Sequence, residues 1–371
     1  MNSTALKSTR GRKAQSKSTA AVKFASGPSL VGRTFIHPVF DYLVIGGGLS
    51  LILIAALLAL GWNSAAGLDR SLPLLYLFFN SAHFAASTVR LYTKNGTFEK
   101  LPFVTMALPL VAILVLLAGL KWPQSLGLYI NKLYLTWSPF HYAATAYGLA
   151  LIYSYRSGCR ITAGQKKLLR WTSLLPFLYA IGLQELGGVS GWFLTPAFLS
   201  AYPDAASWLH RLVMLAGLTS FALPFLLYLS RWKAGDQPLP LIVLMLLVSN
   251  GIWWIVFTSY TNAFNLATIF HGVQYLAIVS IFHVKEKVRE PDNRRSAAFH
   301  ALWFYLVCLG LAVALFQFWP YAFVMIGFGK TESILMVIAI INIHHFIVDA
   351  YIWKLKSDTG NKSIIVSGAA A

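Results

Sequence analysis

The sequence predicts an all-α fold, a polytopic membrane bundle of about ten transmembrane helices, and three observations carry that prediction. Hydrophobic residues fill 57% of the 371 positions and charged residues only 11%, with a mean hydropathy of +0.63, too apolar for an ordinary soluble domain. Ten apolar stretches each approach the roughly 20 residues that a helix needs to cross the hydrocarbon core. Lys and Arg gather in alternate connections, as they do on the cytoplasmic side of multi-pass proteins.

In chain order the stretches are 41–62, 71–92, 101–121, 128–154, 172–193, 207–230, 239–258, 263–284, 300–319 and 333–354. Seven basic residues precede the first (Lys7, Arg10, Arg12, Lys13, Lys17, Lys23, Arg33). Five follow the fourth (Arg156, Arg160, Lys166, Lys167, Arg170) and five the eighth (Lys285, Lys287, Arg289, Arg294, Arg295). The opposite loops hold only Arg70, Lys121 and Lys330. This bias predicts a multi-pass protein of the cytoplasmic membrane with both termini in the cytoplasm. It also accounts for the net charge of +18 without a nucleic-acid partner, because no recognition module fits in such short loops. The lipid bilayer, with its anionic surface, is the expected counterion.

The organisation expected is a basic disordered tail over 1–36, a transmembrane helical domain over 37–356 and a short cytoplasmic tail over 357–371. Residues 1–36 contain no Asp or Glu and no apolar run that could form a signal-peptide core, although an organelle transit peptide has a similar composition. Cys159 and Cys308 fall in a loop and a span, which predicts neither a disulfide nor a metal cluster built on thiolates.

Function is indicated by histidine. LYLFFNSAHFAAS (75–87) and LYLTWSPFHYAAT (133–145) are near copies that place His83 and His141 at the same point of an apolar stretch. The match suggests that the first helix pair is duplicated, in parallel, as the second. His271, His344 and His345 lie in two further stretches. Ionisable groups at membrane depth are costly and tend to face a bundle interior or cavity, so a repeated one marks a site. The stretches that carry these five residues run in one direction, so at about 1.5 Å per residue all five can share a level near mid-bilayer. His37, His210, His283 and His300 fall at span ends and are expected to be interfacial.

Residues three, four or seven apart share a helix face. Asn80, His83, Ser87 and Arg90 therefore form one polar stripe. His271 joins Gln274, with Thr268 a turn earlier, and Asn342, His345 and Asp349 share a third face, with His344 about 100° away. The spacing predicts a metal centre ligated by His83, His141, His271, His344 and His345. Asp349 is expected as a ligand or catalytic carboxylate and Asn80 and Gln274 as supporting groups, since a ligating imidazole commonly bonds an oxygen through its other nitrogen, with Arg90 a further supporting group on the His83 stripe. Glu185, the one glutamate deep in a predicted span, is a second catalytic candidate.

Imidazoles with a carboxylate and open positions suit non-haem iron and oxygen activation. The expectation is thus a membrane oxidoreductase, oxygenase-like, with iron first and copper or haem as alternatives. At mid-bilayer its substrate would be a hydrophobic small molecule, a lipid or isoprenoid, and an electron donor would be its partner. The same residues would also serve a haem-binding electron carrier or a proton relay in a transporter, and histidines can knit helices together with no site at all.

Overall fold

The computed structural model describes residues 30–60, 66–187, 192, 194–233, 235–255, 263–353 and 364–365. Among them every regular element is helical. The α-helices are α1 (Pro38–Phe40), α2 (Gly48–Leu60), α3 (Ala66–Leu75), α4 (Ala82–Thr93), α5 (Thr97–Lys100), α6 (Leu108–Lys121), α7 (Leu128–Arg156), α8 (Ala163–Leu186), α9 (Pro196–Ala201), α10 (Pro203–Lys233), α11 (Leu241–Ile255), α12 (Ala263–Val288), α13 (Ala297–Val313), α14 (Trp319–Met325) and α15 (Lys330–Ile352). Short π-helical turns join some of them, among them Asp41–Ile45 and Tyr76–Ser81.

Helix occupies part of each of the ten stretches. Five helical segments, Phe103–Lys121, Pro203–Lys233, Phe264–Val288, Ala297–Met325 and Lys330–Ile352, are long and apolar enough to cross a membrane. A sixth results if Pro38–Ile45 and Gly48–Leu60, bent by 61°, form one span. The polypeptide around His83 and His141 falls outside this group for a physical reason. The π-turn at Tyr76–Ser81 divides the first, and Asn131, Lys132, Thr136, Ser138 and His141 make α7 the more polar.

Two boundaries differ from expectation. The loop expected over 155–171 is short, because Thr162 and Gln165 form a capping box and start α8 at Ala163, which places Lys166, Lys167 and Arg170 on its first turns. At the N-terminus, residues 1–29 of the expected tail lie outside the described residues, but from Leu30 the chain is already bonded to the bundle. Asp41 accepts from the backbone N–H of Phe35 (2.6 Å) and Ile36 (3.1 Å) and from the Tyr153 hydroxyl (2.7 Å). Arg156 donates to the carbonyls of Thr34, Ile364 and Ile365. Of the expected C-terminal tail, only Ile364 and Ile365 are described.

Packing is what brings the histidine helices together. α15 lies against both α4 and α7, and α12 lies against α4 and the Tyr76–Ser81 turn. The last approach depends on Gly272: a Cβ there would sit 2.8 Å from the Phe79 carbonyl oxygen and 3.2 Å from the Asn80 Cα. Only a residue without a side chain lets the two backbones meet so closely.

Candidate metal centre

Four of the five histidines converge. His83 on α4, His141 on α7, His271 on α12 and His345 on α15 are all buried. Around the ring of helices their imidazole centroids are separated by 4.9 Å (His83–His345), 5.0 Å (His345–His141), 5.1 Å (His141–His271) and 5.2 Å (His271–His83). Aromatic rings wall the group in. Tyr142 stacks on His271 at 4.3 Å, Phe346 stacks on His141 at 4.6 Å, and Phe84 lies 3.9 Å from His83. Tyr142 also closes the gap between α7 and α12 through a 2.9 Å bond between its hydroxyl and that of Thr268.

Asp349 joins on one side. His141 Nε2 and His345 Nε2 are 3.3 Å apart, and Asp349 Oδ2 lies 3.8 Å from the first and 3.7 Å from the second. A point equidistant from the three atoms is about 2.1 Å from each, the length of a metal–imidazole bond. Residues His83, His271 and His345 form a second group whose ligand atoms lie within 4.8 Å of one another.

The partners of His345 and Asp349 assign their free atoms. The Ser87 hydroxyl lies 3.0 Å from the Phe84 carbonyl, to which it can donate, and 2.8 Å from His345 Nδ1, from which it can then accept. The tautomer with the proton on Nδ1 uses Ser87 as acceptor and presents a lone pair at Nε2. The Tyr275 hydroxyl donates to Asp349 Oδ1 at 2.5 Å and leaves Oδ2 to face the imidazoles. Orienting bonds of this kind accompany metal-ligating histidines and carboxylates. The two groups share His345, so the four imidazoles and Asp349 form one continuous cluster.

A bound ion would also account for atoms that otherwise lack a role. Both ring nitrogens of His83 and Nε2 of His271 have no hydrogen-bond partner among the described residues. Leaving buried polar atoms unpaired is costly, and ligation would satisfy His271 Nε2 and one nitrogen of His83. The residues present therefore fit a metal ion.

The remaining candidates lie elsewhere. His344 is half-buried on another face of α15, outside the ring contacts that join the four histidines. Glu185 is in the last turn of α8, not at mid-span, because that helix ends at Leu186; its carboxylate accepts from the backbone N–H of Trp192 (2.5 Å) and Leu194 (3.0 Å). Arg90 sits beyond the site, paired with Glu286 at 3.0 Å and held between the rings of Phe282 and Trp353. Gln274 donates to the Ile45 carbonyl at 3.0 Å, and Asn80 is buried one turn before His83 with its Oδ1 unpaired among the described residues. His283, expected at an interface, is buried and stacked 4.4 Å from Phe304. Cys159 donates to the Pro238 carbonyl at 3.4 Å, and burial pushes its thiol pKa up, which disfavours the thiolate a metal would need.

Sequence reasoning missed Tyr275 and the cavity it helps to line. The signal for Tyr275 was its spacing, four residues after His271 and so on the same helix face. The cavity, about 330 Å³, reaches His141, Tyr275 and Asp349 and is otherwise almost wholly apolar, with Trp137, Phe140, Phe346 and Trp353 among its walls. Phe140, Ala144 and Ala350 are exposed and form its rim, so it opens on the flank of the bundle midway along α7 and near the end of α15. A smaller and more polar pocket, about 30 Å³, lies by His271 with Ser50, Ser249, Asn250 and Gln274. That is room for a water molecule.

Fold and site together define the class: an all-helical protein with apolar, membrane-length helices and a buried histidine–aspartate cluster beside an apolar cavity. No family model, curated protein or solved structure matches the chain.

Proposed function

We propose that this chain is a membrane-embedded, metal-dependent oxidoreductase of oxygenase type that acts on a hydrophobic lipid or isoprenoid substrate. The observation that carries the reading is the triangle of His141 Nε2, His345 Nε2 and Asp349 Oδ2, with edges of 3.3, 3.7 and 3.8 Å, beside an apolar cavity open on the flank. Two histidines and a carboxylate with open positions are the donor set of non-haem iron oxygenases, so iron is the favoured ion, with copper second. Bound iron would supply oxygen activation. The chain's own residues would do the rest: His141, His345 and Asp349 hold the ion, Ser87 and Tyr275 orient two of those ligands, and the aromatic walls bind substrate and exclude water.

Four imidazoles in mutual contact leave little room for a porphyrin slab, which favours a bare ion over haem. In this reading the ten helical stretches are ten spans, related in part by a parallel duplication, with both termini cytoplasmic and the electron donor on the basic side. The substrate would reach the cavity laterally from the lipid. Elemental analysis and a visible spectrum of detergent-purified protein test the proposal. Stoichiometric iron or copper without a Soret band is expected, followed by oxygen consumption when lipid or isoprenoid candidates and a reductant are added. Well-folded protein with neither metal nor haem would overturn it and leave the proton-relay or packing alternatives.

A further inference from the structure

We infer that the face formed by α12, α13 and the Asp41–Ile45 turn is a binding site for one anionic phospholipid, with an acyl chain in its groove and the phosphate at Lys285. This surface is separate from the histidine cluster, and the inference does not depend on its chemistry.

The groove encloses about 610 Å³ between Val273 and Lys285 on one side and Ala297 and Tyr305 on the other. Three alanines, Ala297, Ala298 and Ala301, make it: larger side chains at these positions of α13 would fill the space. Its deep end is closed where the Tyr305 hydroxyl donates to the Phe78 carbonyl at 3.1 Å. From Val273 to Lys285 the groove follows α12 for about 18 Å at 1.5 Å per residue. One leaflet of hydrocarbon is about 15 Å thick, so the groove matches the length of a single acyl chain.

Charge selects the headgroup. Lys285 is the one charged residue lining the groove, and it stands at the helix end, the level at which a phospholipid carries its phosphate. Its ammonium donates to the Phe35 carbonyl at 3.3 Å and lies 5.2 Å from the Phe35 ring centroid, which fixes its position and leaves further N–H groups to donate. Arg156 and Arg289 add positive charge nearby, whereas the Asp41 carboxylate is taken up by Phe35, Ile36 and Tyr153. A cationic end on an apolar slot of leaflet depth matches an anionic phospholipid better than a zwitterionic one.

Native mass spectrometry of the full-length protein in detergent, with phosphatidylglycerol or phosphatidylcholine of identical chains added, tests this. The wild-type protein should retain phosphatidylglycerol about fivefold more than phosphatidylcholine, the worth of one lysine at an anionic surface. Lys285→Gln, which removes the charge and keeps a polar side chain, should bring the two lipids close to parity, and Lys285→Arg should keep the preference. Ala301→Trp should reduce retention of both lipids by filling the groove, and Lys233→Ala, at the end of another helix, should change nothing. Equal retention by the wild-type protein, an undiminished preference in Lys285→Gln, or a dimer that covers this face and excludes lipid would each overturn the inference. A metal-free protein that still shows the preference would count against the proposed function only.

Discussion

Residues 75–87 reach His83 through a π-turn, Tyr76–Ser81, whereas residues 133–145 reach His141 inside one α-helix that runs past Pro139. The two motifs deliver their imidazoles to one cluster in different surroundings. His83 is wholly enclosed, with both ring nitrogens unpaired among the described residues. His141 contacts Asp349 and lines the apolar cavity. The residues four positions on differ in the same sense. The Ser87 hydroxyl reaches across to His345, while the Thr145 hydroxyl turns back to the His141 carbonyl at 3.0 Å in its own helix. One segment thus supplies an inner wall and an orienting bond, and the other supplies the face open to the apolar cavity. Similar sequence has yielded complementary halves of a single site.

His345 belongs to both halves, so its loss should have the largest effect. His345→Ala is expected to remove bound metal entirely, as elemental analysis would read, because both candidate donor groups contain it. His83→Ala and His141→Ala should each weaken metal binding but differ in a second readout. Only the His141 variant should change binding of a hydrophobic ligand in the cavity, since His83 does not line it. Equal effects of both variants on ligand binding would erase the distinction between the two copies.

The hydroxyl pair sharpens it further. Ser87→Ala frees the Nδ1–H of His345 and should lower metal affinity about 10- to 100-fold, the usual cost of losing a bond that orients a ligand. Thr145→Ala removes only a hydroxyl bonded within its own helix and should leave affinity within about twofold. Competition with a graded chelator measures both. Gly272→Ala addresses the enclosed half alone. Its Cβ would collide with the Phe79 carbonyl, and the overpacking should cost about 1–3 kcal/mol, seen as a lower melting temperature in detergent.

Much of this site could be read from the sequence. Helical periodicity put Asn80, His83, Ser87 and Arg90 on one face and His345 with Asp349 on another, and His345 and Asp349 do meet the same cluster. What spacing could not show was reach across helices. Ser87 was legible as a neighbour of His83, yet its hydroxyl serves His345, 258 positions away. Gln274 shares a face with His271 but is drawn off by the Ile45 carbonyl. Glu185 is buried, but in the last turn of α8 and not at mid-helix, because that helix starts at Ala163 behind an unrecognised capping box and ends at Leu186. Among the helices, α12 and α15 read as apolar spans despite their histidines, whereas the segments of His83 and His141 were blurred by a π-turn in one and by polar residues in the other.

The smallest effect is expected at His344, and it bears on whether one face of α15 or two take part. His344 is adjacent to His345 in sequence, so any account based on local histidine density would make the two equivalent. Helix geometry separates them by about 100°, and the four contacting rings do not include His344. His344→Ala should therefore leave metal content unchanged and cost about 1 kcal/mol of stability, the ordinary effect of truncating a half-buried side chain. Loss of metal in this variant comparable to that in His345→Ala would mean that α15 turns its other face to the ion, and the assignment of the His345 lone pair through Ser87 would fall with it.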